Sequence, residues 1–247
     1  MKTVIVIPAR LASTRLPRKL LLDETGQTLL QHTYEAASRC QRVDRVIVAA
    51  DSQEIAQAVQ AFGGEVMMTD PKHTCGTDRV AEVARSLECD VIVNVQGDEP
   101  EIDPRSIDLV IDLLADTPKA DVATVATPIR NRDLLEDPAC VKVVRDDGQF
   151  AMYFSRSVIP HPRRWEDGLL QQSPALFWQH VGLYAYRRPF LLEAPALPVA
   201  AIESTESLEQ LRWLHAGYAI RVGEVAQAAP GIDTPNDYAA FVSRQCY

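Results

Sequence analysis

The sequence predicts an α/β fold with a mostly parallel sheet. Apolar runs of strand length stand at 4–7, 43–50 and 65–69, and amphipathic stretches at 28–40 and 53–62 separate them. Strands and helices alternating in this order give parallel strands joined by right-handed crossovers. A fourth apolar run at 90–95 follows another helical stretch. The length of 247 residues suits one large domain.

Strand 4–7 ends at Pro8. The loop from Pro8 to Lys19 holds Arg10, Arg15, Arg18 and Lys19, with no acid before Asp23, in a chain of formal net charge −9. The carboxyl end of a first buried strand is where an open α/β sheet takes its ligand. Four cations there suit a polyanion such as a nucleoside triphosphate; a solvated basic turn is the other reading. In helix 28–40, Leu29, Leu30, Thr33, Ala36 and Ala37 share one face. Helix 53–62 stops at Gly63-Gly64.

Gly76-Thr77-Asp78-Arg79 opens a helix to about Leu87, with Val80, Val83, Ala84 and Leu87 inward. Gly76 either lets backbone N–H groups approach a ligand or precedes an ordinary start in which Thr77 and Asp78 complement the helix dipole. Strand 90–95 runs into Gln96-Gly97-Asp98-Glu99-Pro100. Asp98 is placed to hold Mg²⁺ against phosphates, or to serve a turn or a cap. Asp103-Pro104 reads as an N-cap with proline at the first helical position.

After a strand at 121–127, Asp146-Asp147-Gly148 between runs 141–145 and 150–155 signals a hairpin, so the second half turns antiparallel. The stretch 159–174 is rich in Pro, Arg and polar residues and reads as a long mobile connection: a lid, an interface arm or a specificity loop. Strand 180–187 puts His180, Gly182, Tyr184 and Tyr186 on one face and Val181, Leu183 and Ala185 on the other. The His/Tyr face either recognises sugar hydroxyls or packs on a helix. Residues 206–217 read as one helix, with Leu208, Leu211 and Leu214 in the core and Glu206, Glu209 and Gln210 left for a ligand or water. A last strand spans 218–225. Thr234-Pro235 with Asp237 starts the final helix, which leaves Asp233 unexplained by capping and available to join Asp98.

The acidic balance argues against a nucleic-acid binder. No run is long enough to span a membrane, and no secretory leader is expected. Cys40, Cys75, Cys89, Cys140 and Cys246 are odd in number and scattered, with no Cys-x-x-Cys. This speaks against zinc and against a disulfide framework, and for the cytoplasm.

Several segments occur together in order: Pro8-Ala9-Arg10-x-x-Ser13-x-Arg15-Leu16-Pro17-x-Lys19, Gly76-Thr77-Asp78-Arg79, Asn94-Val95-Gln96-Gly97-Asp98-Glu99-Pro100, Phe154-Ser155-Arg156, His180-Val181-Gly182-Leu183-Tyr184-Ala185-Tyr186, Glu206-x-Leu208-Glu209-Gln210-Leu211-Arg212 and Gly231-Ile232-Asp233-Thr234-Pro235. Across essentially the whole chain this resembles the 3-deoxy-manno-octulosonate (Kdo) cytidylyltransferases. The resemblance implies a Rossmann-like, GT-A-like nucleotidyltransferase with a mixed, mostly parallel sheet: a single domain over 1–247 with an antiparallel dimerisation and sugar-binding extension around 140–200. It implies a cytoplasmic homodimer that converts CTP and Kdo, with Mg²⁺, to CMP-Kdo and diphosphate for lipopolysaccharide core synthesis. Arg10, Arg15 and Lys19 would hold the triphosphate and, with Asp98, carry catalysis. Ala9, Thr74, Gly76 and Arg79 would line the cytosine and ribose pocket. Asp98 and Asp233 would carry the metal, with Gln96 between nucleotide and sugar. Arg156, His180, Tyr184, Tyr186, Glu209 and Gln210 would grip Kdo. Two positions depart from the family pattern: Arg18, where many relatives have glycine, and Cys75, where serine is usual. CMP transfer to 8-amino Kdo or sialic acid, and a catalytically silent nucleotide-binding module, are the competing readings.

Overall fold

The computed structural model describes residues 1–245; Cys246 lies outside them. Among the described residues nine strands form one sheet, its main path in the order β3-β2-β1-β4-β8-β5-β9. β1 (Thr3–Ala9) is flanked in parallel by β2 (Arg45–Ala50) and β4 (Val91–Asn94), and β3 (Glu65–Met68) extends β2 in parallel. β8 (Trp178–Arg187) then enters antiparallel between β4 and β5 (Val122–Pro128), and β9 (Ile220–Glu224) runs parallel to β5. The hairpin β6 (Lys142–Arg145) and β7 (Ala151–Ser155) hangs off β8. The stretch 140–200 thus divides: β8 lies in the middle of the sheet, while the hairpin stands at its margin.

The period of two separates the faces. Ile5, Ile7, Val48, Val93 and Ala185 pack under α1 (Leu29–Ser38), α2 (Gln53–Ala61), α4 (Pro104–Asp116) and α9 (Pro235–Gln245). Val4, Val6, Ile47, Ile92, Tyr184 and Tyr186 pack under α3 (Gly76–Arg85), α6 (Arg188–Glu193) and α8 (Gln210–His215). The five residues expected on the inner face of α1 are all fully buried. Asp103 caps α4 as expected, and Thr28 caps α1. Thr234 and Asp237 cap α9 reciprocally, since Asp237 Oδ2 accepts from the Thr234 N–H at 2.8 Å and Thr234 Oγ1 accepts from the Asp237 N–H at 3.2 Å. No helix of the described residues is long and apolar enough to cross a membrane.

Three expectations need correction. The helix expected over 206–217 is shorter, α8 (Gln210–His215) alone; a separate helix, α7 (Ala201–Glu206), ends where it should begin, and Ser207 between them turns left-handed at φ 52°. Burial of Leu208 and a two-point Arg212–Glu203 ion pair hold the break, so tertiary packing overrides a helical pattern. Leu214 is only partly buried, and Trp213 takes the core position instead. The stretch 159–174 is pinned rather than loose: Leu170 packs with Ile129, Leu135 and Phe177, and the Arg130 guanidinium donates to the carbonyls of Leu170 and Gln172 at 2.8 and 2.7 Å. α5 (Arg132–Glu136), too short for a periodic signal, supports the same satellite core.

Arg18 explains itself structurally. It adopts φ 56°, a left-handed backbone that favours glycine, and its guanidinium pairs with Glu54 of α2. Arg18→Gly should therefore change stability by less than about 1 kcal/mol, relief of the left-handed backbone offsetting the lost surface pair. It should leave the KM for CTP unchanged; a severalfold rise would make Arg18 a phosphate ligand.

Candidate functional site

The strand order reverses between the neighbouring strands β1 and β4, the point at which an open α/β sheet forms a crevice beyond its carboxyl ends. A cleft of about 280 Å³ lies there. Ala9, Arg10, Arg15, Lys19, Thr74, Gly76, Arg79, Gln96, Asp98 and Asp233, all expected at the nucleotide and metal site, line it.

Its electrostatic centre is Lys19. Its Nζ lies 2.5 Å from Asp98 Oδ2 and 2.9 Å from Asp233 Oδ1, and Arg15 reaches the other Asp233 oxygen at 3.0 Å. The Ile232 N–H donates to the Asp98 carbonyl at 3.0 Å, which brings the segment after β9 against the end of β4 and Asp233 beside Asp98. Two carboxylates already sharing one cation match the donor set a hard divalent ion takes when phosphate oxygens and water complete its shell. The pair fits Mg²⁺.

The walls are held from behind. Thr33 donates to the Gly97 carbonyl at 2.9 Å. A Cβ on Gly97 would stand 3.2 Å from the Pro8 carbonyl oxygen, so glycine permits the close approach of the β1 and β4 loops. Arg79 is buried; it donates to Thr69 Oγ1 at 2.5 Å and lies 3.9 Å from Asp51. Asp51 also accepts from the Leu11 N–H at 3.0 Å, tying the basic loop to Arg79. The partners of Asp51 lie 40 and 28 positions away, outside any local pattern, so no sign of this role stands in the sequence. His73, which also lines the cleft, escaped sequence reasoning too.

The residues expected to hold the sugar, Gln96 apart, lie outside this cleft, around β8 and α8. Tyr184 and Tyr186 are buried and stacked, with Trp213 set edge-on to both. The face therefore packs on a helix, the second of the two readings above. Burial pushes both phenols far from ionisation. His180 stacks edge-on to Phe154 and sits 3.1 Å from Thr124 Oγ1. Arg156 is committed to backbone: Nε donates to the Glu206 carbonyl at 2.7 Å and Nη1 to that of Pro138 at 3.0 Å. Glu206 accepts from Ser155 Oγ and the Arg156 N–H, and Gln210 is buried, so neither is left open to water as expected. Glu209 accepts from Thr77 Oγ1 at 2.8 Å and from the Cys75 thiol at 3.5 Å. Cys75 caps α3, its sulfur accepting from the Asp78 N–H at 3.4 Å, with Asp78 in the first turn. Burial pushes the Cys75 thiol up to about 12.

Burial also holds the His180 imidazole down to about 3, so it presents a neutral ring through the physiological range. The unfolded chain, with an ordinary histidine near 6.5, takes the proton first as pH falls. The stabilisation from keeping His180 neutral is thus complete above about 6.5 and is lost as pH drops toward about 3. His180→Gln should flatten that limb of a Tm-against-pH curve; an unchanged slope would assign the acid limb to other groups.

A cytidylyltransferase family model matches residues 4–221. The chain is 51% identical over 246 residues to the 3-deoxy-manno-octulosonate cytidylyltransferase of Rhodopirellula baltica, covering 99% of this chain and 98% of the relative. To the Escherichia coli enzyme of that name it is 47% identical over 234 residues, covering 95% and 92%. A solved structure of CMP:2-keto-3-deoxy-manno-octonic acid synthetase complexed with CTP superposes with a TM-score of 0.93 at 44% identity, covering 100% of this chain and 99% of that one. The 4-diphosphocytidyl-2C-methyl-D-erythritol synthase of Anaerococcus prevotii, at 13% identity and a TM-score of 0.65 over 100% and 99% of the two chains, shares the fold alone. With near-complete coverage at this identity, the chain belongs to the 3-deoxy-manno-octulosonate cytidylyltransferase family.

Proposed function

We infer that the chain transfers the cytidylyl group of CTP to Kdo, giving CMP-Kdo and diphosphate, as a step toward lipopolysaccharide. The observation that carries this is the Lys19–Asp98–Asp233 cluster beneath a cationic loop at the β1/β4 crevice, in a chain that matches a CTP-bound relative over its full length. Arg10, Arg15 and Lys19 neutralise the triphosphate and the leaving diphosphate; Thr74, Gly76 and Arg79 form the wall for the nucleoside. The anomeric 2-hydroxyl of Kdo forms the new bond to the α-phosphorus as the bond to the diphosphate breaks. Positioning and charge neutralisation supply most of the rate. Asp98 and Asp233 would hold Mg²⁺, whose chemistry is to offset charge that develops on the phosphates. A homodimer belongs to the same reading and is supported by the margin of the sheet, where β7 pairs with β6 alone and exposes Met152. So does a cytoplasmic setting, supported by free Cys40, Cys75, Cys89 and Cys140.

The test is diphosphate release from CTP and Mg²⁺ with Kdo, 8-amino Kdo or sialic acid, and with UTP as the base control. Turnover with Kdo and CTP is the expected result. Turnover with another sugar alone moves the specificity, and none with any sugar from folded, CTP-binding protein ends the enzymatic reading.

A further inference from the structure

We propose that Thr77 is a positioning residue for the sugar, acting through Glu209. Thr77 is the second residue of α3, in a first turn whose polar side chains ordinarily face water. Here it is buried, and its hydroxyl donates to Glu209 Oε2 at 2.8 Å. The Cys75 thiol reaches the other carboxylate oxygen at 3.5 Å. One carboxylate is thus held at both oxygens by the two residues that flank Gly76, itself in the wall of the nucleotide cleft.

The arrangement does more than join two helices. A carboxylate withdrawn from water is costly unless hydrogen-bonded, and a threonine and a thiol are weak compensation compared with an ion pair. The nearby cation Arg212 is instead committed to Glu203 through two hydrogen bonds. Burial raises the pKa of Glu209, and the hydrogen bonds from Thr77 and Cys75 oppose that rise. Each Glu209 oxygen keeps acceptor capacity beyond the one hydrogen bond described. On the neighbouring strand β8 the buried Tyr186 hydroxyl faces the side chains of Asn94 on β4 and of Thr77 itself, which closes the inner side of this region. The acceptor capacity left on the Glu209 carboxylate is what a hydroxyl of a polyhydroxylated ligand would satisfy. Thr77 sets the direction of the Glu209 carboxylate toward that ligand and links it to the turn that faces the nucleotide.

The inference rests on the reading that Kdo binds beside Glu209, and the experiment separates the two. Steady-state diphosphate release is measured for Thr77→Val, Thr77→Ser, Glu209→Gln and the Thr77→Val/Glu209→Gln double variant, each with KM for Kdo and for CTP. Thr77→Val keeps the shape and removes the hydroxyl. It should raise the KM for Kdo about tenfold, the size expected for a hydrogen bond to a charged group, with the KM for CTP within twofold. Thr77→Ser should restore the KM for Kdo, and in the double variant the valine should add less than twofold to the glutamine. Should Thr77→Val not fold, Thr77→Ala against Thr77→Ser makes the same comparison. A KM for Kdo within twofold of the unaltered enzyme in Thr77→Val, an equal rise for CTP, no rescue by serine, or additive effects in the double variant would each overturn the positioning role. If Glu209→Gln itself leaves the KM for Kdo unchanged, the placement of the sugar is wrong, and the role of Thr77 falls with it.

Discussion

Asp98→Asn should lower kcat for diphosphate release by roughly 10²–10³-fold, the loss typical when one preorganised charge-stabilising group is removed. Asparagine keeps the shape and removes the negative charge. Lys19 Nζ then loses its 2.5 Å partner and is left with Asp233 alone. A divalent ion would lose half of its protein carboxylates. The loss should fall on kcat rather than on CTP binding, because charge on the phosphates grows toward the transition state while the cationic loop still meets the ground-state triphosphate. The KM for CTP should rise by no more than about threefold if that division holds. Asp103→Asn is the internal control. That carboxylate caps α4, accepting from the Arg105 N–H at 2.9 Å, and does not line the cleft. It should cost only a few tenths of a kcal/mol in stability, since asparagine caps as well as aspartate, and leave kcat within about twofold. Near-normal turnover in Asp98→Asn would remove Asp98 from the metal assignment.

Trp213→Ala should be the most destabilising of the substitutions considered, costing about 3–5 kcal/mol. Trp213 is almost wholly buried, and its ring stands edge-on to Tyr184 at 5.4 Å and to Tyr186 and Phe190 at 5.6 Å. Removing it leaves a cavity between β8, α6 and α8 that the sheet side cannot fill, because β8 is fixed between β4 and β5. Urea unfolding reads the free energy, and Tm should fall by roughly 6–20 °C for a chain of this size. Trp213→Phe should cost less than half as much. The indole Nε1 is buried with no hydrogen-bond partner, so its loss leaves no acceptor stranded. A cost below about 1 kcal/mol for the alanine would mean that α8 is held by other contacts, and the Tyr184/Tyr186 face would then need another account.

The fold was legible because its signals are local. A strand needs four to seven apolar residues, a helix face needs a repeat within two turns, and a cap needs three or four residues. The order of β1, α1, β2, α2 and β3, the inner face of α1 and the caps at Asp103 and Thr234 therefore followed from the chain alone. The break at Ser207 did not, because a left-handed residue and a buried Leu208 cost the helix its continuity only where α7 and α8 meet the rest of the protein.

The candidate site divides in the same way. Its residue types were visible as a cationic loop after one strand and lone carboxylates after two others. That Asp98 and Asp233 share Lys19, which precedes them by 79 and 214 positions, is a product of strand order. The partners of buried groups lay beyond the sequence entirely. Arg156 looked like a free cation and is engaged by carbonyls of Pro138 and Glu206; Tyr186 looked like an open hydroxyl and is buried; Thr77 looked like a helix start and holds Glu209, 132 positions away. Periodicity and capping act between neighbours, so the sequence by itself determined which elements form and which chemical groups end them. Desolvation acts between elements brought together from the whole chain, so only the tertiary structure decided which of those groups remain open to a ligand.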